Sequence, residues 1–139
     1  MSRESIVSHL ESLLKKMNTP KLGKVVRDPI IVEELPKTAF PAVYIETTDE
    51  EIEDISMNYR RRGVMEVNVV CIVQGVNRDT QRNILVEGIE KVLLKDRTVN
   101  NQAKDISLAR VEAIAVGETA PYATVRMVFL VERHYTITT

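Results

Sequence analysis

Apolar residues recur along this chain with two periods, and the switches between them mark its elements. From Ser2 to Met17, the residues Ile6, Leu10, Leu13, Leu14 and Met17 follow at steps of three and four, which puts them on one helix face. Ser2 or Ser5 can cap the start by accepting a backbone N–H, and Asn18, Thr19, Pro20 and Gly23 end the helix. Between Val25 and Phe40, Asp28-Pro29 and Leu35-Pro36 restrict the backbone and remove donors, so any strand there is short or lies at an edge. A period of two begins at Ala42–Thr47, where Val43 and Ile45 alternate with Tyr44 and Glu46. Thr47–Ser56 breaks it. Asp49, Glu50, Glu51, Glu53 and Asp54 crowd like charges together, which predicts an exposed loop or a lone helical turn.

Tyr59–Gln74 is the clearest strand. Met65, Val67, Val69, Cys71 and Val73 share one face, with Glu66 and Asn68 opposite. The opposite face turns apolar at Val70 and Ile72, which predicts cover on both sides at that end. Gly75–Arg78 turns the chain into a second helix, about Asp79 to Lys95, with Asp79 as N-cap. Leu85, Ile89, Val92 and Leu93 form its stripe, widened by Ile84. Gly88 costs this helix about 1 kcal/mol relative to alanine, so a close approach to the sheet is expected there. A polar connection, Thr98–Asp105, leads to Leu108–Val116 and Ala123–Thr136, read as an antiparallel hairpin around Gly117–Tyr122. Val125, Met127, Phe129 and Val131 face one way in its second strand, Thr124 and Arg126 the other.

The order of elements predicts an α+β fold: a single domain over residues 1–139, an antiparallel or mixed sheet of four to five strands, and two helices packed on one face. With 44% apolar and 28% charged residues, the composition is that of an ordinary globular domain. Runs such as Val69–Val73 and Met127–Val131 fall far short of the roughly 20 residues of a membrane-spanning helix, so no membrane partner is expected. Met1–Met17 lacks the apolar block of a secretion signal, and one cysteine excludes an internal disulfide framework, so cytoplasmic production is expected. A formal net charge of −1 gives no bulk attraction to nucleic acid or anionic lipid.

Catalytic chemistry finds few candidates. His9 sits beside the first helix's stripe and His134 near the end of the last strand, far apart in the chain. Cys71, inside an apolar run, reads as an inert core thiol. These three residues make no zinc spacing, and the five glycines are too scattered for a phosphate loop. No catalytic residue, cofactor or metal is expected, and an enzyme is the last reading. Two charge clusters remain. Asp49, Glu50, Glu51, Glu53 and Asp54 lack the glycine and terminal carboxylate of a calcium loop, which favours a solvated loop over a cation site. Arg60, Arg61 and Arg62 can grip phosphate or carboxylate, or simply be solvated. In a third reading, the acids of one copy meet the arginines of the next, which makes these eight residues the candidate subunit or tube interface.

Several segments together resemble one family. They are the first helix, FPAVYIET (Phe40–Thr47), the acidic stretch, RRRGVMEVNVVCIVQG (Arg60–Gly75), RDTQRNILVEGIEKVLLKD (Arg78–Asp96) and LARVEAIAVGETAPYATVRMVFLVERHYTI (Leu108–Ile137). In layout they resemble the tail terminator, or tail completion, proteins of long-tailed bacteriophages, the lambda-like minor tail group. The resemblance covers nearly the whole chain and lies in texture, not in a signature motif. It implies a hexameric ring on the head-proximal end of a tail tube, which ends tube growth and meets a head–tail connector or neck protein. It further implies the chain itself and the tube protein as partners, DNA passing through the ring without sequence-specific binding, and a virion location after assembly in the host cytoplasm. Two other readings stand beside it: a head–tail connector or tube-like component, and a small-molecule-binding regulatory domain of ferredoxin-like type.

Overall fold

A computed structural model of the chain describes residues 2–31, 34–55, 59–114 and 122–137. The elements are α1 (Arg3–Lys15), β1 (Lys24–Val26), a 3-10 turn (Lys37–Ala39), β2 (Ala42–Asp54), β3 (Arg60–Gln74), α2 (Arg78–Leu94), β4 (Asp105–Ile114) and β5 (Tyr122–Thr136). The strands form one five-stranded sheet in the order β1-β2-β3-β5-β4. β1 runs parallel to β2 and the other neighbours are antiparallel, so the sheet is mixed. α2 joins β3 to β4, two parallel strands with β5 inserted between them, which is a split βαβ unit.

Both helices lie on one face, as the periodicities predict. Ile6, Val7, Leu10 and Leu14 of α1 and Leu85, Ile89 and Leu93 of α2 join one buried cluster. The same cluster takes in the alternate positions Val43 and Ile45, Met65 to Val73, and Val125 to Val131 of the three central strands. Ser2 caps α1, its hydroxyl accepting from the Ser5 N–H at 3.0 Å. Val7, outside the stripe read from sequence, is fully buried, and Leu13 is only half-buried. β1 is three residues at the sheet margin, the short edge strand that the prolines allow. Val70 and Ile72 are buried on the face away from the helices, where Phe40 stacks on Tyr122 with ring centroids 5.7 Å apart.

Four expectations are corrected. Thr47–Ser56 is not a loop: β2 continues to Asp54, because arginines across the sheet neutralise Glu50, Glu53 and Asp54, while Ser56 lies outside the described residues. Asp79 is not the N-cap. α2 begins one residue earlier with Asn77 at the cap, and Asp79 pairs with Arg82 inside the first turn. β4 starts at Asp105, three residues before the expected Leu108, with Asp105 held by Arg97 at 2.8 and 2.9 Å. Its expected end at Val116 and the hairpin connection through Gly117 lie outside the described residues, although β4 and β5 do pair antiparallel. Gly88 faces the end of α1, not the sheet.

A Cβ on Gly88 would stand 2.6 Å from the Thr19 carbonyl oxygen and 2.7 Å from Met17 Cε. Alanine ordinarily improves a helix by about 1 kcal/mol over glycine. Here the backbone oxygen cannot turn aside, so Gly88→Ala should lose about 1–2 kcal/mol instead. Urea denaturation checks this, and a gain in stability would mean that the end of α1 moves freely away from α2.

β2 carries one irregularity that sets the geometry of its second half. Pairing with β3 passes from Thr47↔Val67 to Glu50↔Met65, so β2 holds one residue more than its partner. Up to that bulge Val43, Ile45 and Thr47 face the helices; beyond it Glu50, Ile52 and Asp54 do.

Candidate assembly surface

Past the bulge, β2, β3 and β5 extend beyond the start of α1, and this overhang collects the charge clusters. Its root is an ion pair. Glu50 turns under Arg133, whose Nε donates to Oε2 at 2.7 Å and whose second nitrogen donates to Oε1 at 3.0 Å. The two side chains are 4% and 10% exposed, and the Arg133 guanidinium also sits 4.1 Å from the Tyr135 ring centroid. Gly63 makes this possible. It lies between Ile52 and Arg133 in register, and a Cβ there would strike the Glu50 carboxylate. Arg3, at the start of α1, reaches Glu50 at 3.8 Å and the Thr48 carbonyl at 3.4 Å, which ties the helix to the overhang.

Further out the pairs lie at the surface. Arg61 donates to Asp54 at 3.0 Å, and Arg62 bridges Glu53 at 3.1 Å and Glu132 at 2.8 Å. The acidic and arginine clusters therefore meet within one chain, across the β2–β3 ladder. Asp49, Glu51 and Arg60 are exposed and form no ion pair among the described residues. β1 pairs only with Ala42–Tyr44, so Ile45–Asp54 has no strand on its outer side among the described residues. Ile52, Ile55 and Tyr59 are 49%, 42% and 68% exposed beside these charges.

Arg133 and Arg3 were not among the residues singled out from sequence. A signal existed for Arg133. It continues the alternation Val125, Met127, Phe129, Val131, and a charge on a helix-facing position requires a buried partner. His134 lies on the other face, 3.2 Å from Glu132, and His9 is half-buried on α1. Burial pushes the Cys71 thiol up, away from the reactive thiolate. Among the described residues no group of three or more His, Cys, Asp or Glu is placed to hold a metal ion, and no helix is long and apolar enough to cross a membrane.

Several carboxyls are held below the usual carboxylate range by donors. Arg62 does this to Glu132, Arg97 to Asp105, Arg110 to Glu112, and the Thr98 hydroxyl to Asp96, where the Asn100 and Thr98 N–H groups add to it. Each value is lower folded than unfolded. Their contribution is therefore complete above the unfolded range, about pH 4, and is lost as pH falls through the lower folded values. The urea midpoint should stay flat from pH 7 to about pH 5 and fall below pH 4. A midpoint that rises on acidification would contradict these assignments.

No family model and no curated protein matches this sequence. Among solved structures, a chain of the virion of native gene transfer agent (GTA) particle is similar, with a TM-score of 0.54. The match covers 94% of this chain and 92% of that one at 13% identity. At that identity the likeness is one of fold, an α+β sheet-and-helix domain shared along almost the whole of both chains.

Proposed function

We propose that this chain is a non-catalytic structural protein of a phage-like virion, and within that class the tail terminator. Copies of it form a ring, a hexamer, on the head-proximal end of a tail tube. The ring stops further addition of tube subunits and offers its far side to a connector or neck protein. The observation that carries this reading is the end-to-end likeness of fold to the virion chain, in agreement with the sequence resemblance to tail terminators. The physical arrangement supports it. The helix-covered face is filled by this chain's own side chains, which leaves strand margins, loops and helix exteriors as working surface. A ring of identical copies needs two unlike surfaces on each, and the charged overhang can serve as one of them.

Deletion of the gene should leave tubes of uncontrolled length without heads, and labelled protein should map to the head-proximal end of intact particles by electron microscopy. Tails of normal length in its absence would sink the terminator role; label along the tube or at the portal would favour the tube-like or connector role. A second reading has one observation behind it: a groove of about 510 Å³ between α1 and α2, within the size range of small-molecule sites. Its predicted sign is a ligand-dependent rise in melting temperature across a metabolite panel. The ferredoxin-like form of that reading draws on the split βαβ unit around α2; among the described residues the α1–β3 half holds no second one.

A further inference from the structure

The groove lies where α1 ends and crosses α2. Lys16, Lys91 and Lys95 stand around it with one carboxylate, Glu87, and its floor includes Leu13 and Ile84. None of the three lysines forms an ion pair among the described residues, and Ile84 is 53% exposed. The result is a basic, apolar-floored trough. The overhang offers the trough a carboxylate left over from its own ion pairs and exposed isoleucine surface. Glu51 forms no ion pair among the described residues, Glu53 and Asp54 are held by Arg62 and Arg61, and Ile52, on the opposite side of the strand from Glu51, and Ile55 expose apolar surface.

The two surfaces cannot meet within one chain. The overhang is tied to the N-terminal end of α1 by Arg3, whereas the trough begins at Leu13 and Lys16 near its C-terminal end. A helix of 13 residues separates these ends by about 20 Å.

We propose that the trough receives the open edge of the overhang of a second copy of this chain, with Ile52, on the helix side of β2, against Leu13 and Ile84, and Glu51, on the opposite side of the same strand, among Lys16, Lys91 and Lys95. The inference rests on the ring reading and gives it a contact. Because the two surfaces differ and sit at opposite ends, the contact is head-to-tail, and repetition of it closes a ring wherever the rotation permits. Desolvated isoleucines would supply attraction, and the charges would select the register.

Head-to-tail contacts have a signature in mixtures. A trough variant, Lys91→Glu with Lys95→Glu, and an overhang variant, Glu51→Lys with Ile52→Ser, should each be monomeric by size exclusion with light scattering while wild type assembles. Mixed one to one, they should give a dimer and stop, since one intact trough meets one intact overhang. If wild type forms a ring and either variant still does so, or the mixture stays monomeric, this contact is wrong while the ring reading stands. If wild type is monomeric throughout, both fall. Should a variant lose its native circular dichroism, cross-linking decides. Glu51→Cys with Lys91→Cys in one chain should oxidise to a covalent ladder, whereas each single variant should not; dimers from a single variant would overturn the head-to-tail arrangement. Cys71 is buried and stays out of the reaction.

Discussion

Replacement of Phe129 by alanine should cost about 4 kcal/mol, the largest loss expected from any single substitution here. Phe129 is the bulkiest of the fully buried side chains. It stands on β5 opposite Val67 of β3 and Leu108 of β4, in the cluster that both helices join. Strand neighbours on two sides and helices above leave little freedom to collapse into the space that a benzyl group vacates. Urea denaturation measures the effect, with an unchanged m-value if the folded state is otherwise kept. Phe129→Leu, which restores most of the volume, should lose less than half as much. Equal losses for the two variants would show that ring shape, not filled volume, matters at this position.

The second large effect belongs to the pair at the root of the overhang. Glu50→Ala should cost about 3 kcal/mol, since it leaves the Arg133 guanidinium largely buried without its bidentate partner. Replacing both, Glu50→Leu with Arg133→Met, should cost far less than the sum of the single changes, because no buried charge is then stranded. A double-mutant cycle by chemical denaturation reads this directly, and additive losses would refute the coupling. In the ring reading the same Glu50→Ala variant loosens the overhang that reaches the neighbouring copy, so assembly should weaken at temperatures where the domain is still folded.

What the sequence disclosed followed from where the determining contacts lie. α1 and β3 could be read at once, because a burial period of three to four or of two is written in adjacent residues such as Ile6–Leu14 and Met65–Val73. The far half of β2 could not. Its acids discourage a strand locally, and what reverses that is Arg61, Arg62 and Arg133, the last of them 83 residues from Glu50. Gly88 was legible as a close approach but not as to what approached, since helix–helix crossing is a tertiary fact. The charged clusters announced themselves as surface, yet their intrachain pairing depended on register. The lysine trough is not legible in the sequence, because Lys16 is far along the chain from Lys91 and Lys95 and only the helix crossing brings them together.

The extra residue near Thr48 works like a frameshift in sidedness. In an unbroken ladder Asp49, Glu51 and Glu53 would point beneath the helices, and Ile52 would lie on the far side of the sheet. One inserted amino acid thus lets a single strand obey two masters: its first half keeps time with the hydrophobic interior, and its second half with the arginines. Substitutions beyond Glu50 can therefore drift under selection for a new neighbour without disturbing the beat of the interior, whereas Glu50 itself and the length of the segment between Thr47 and Glu50 are not free to change.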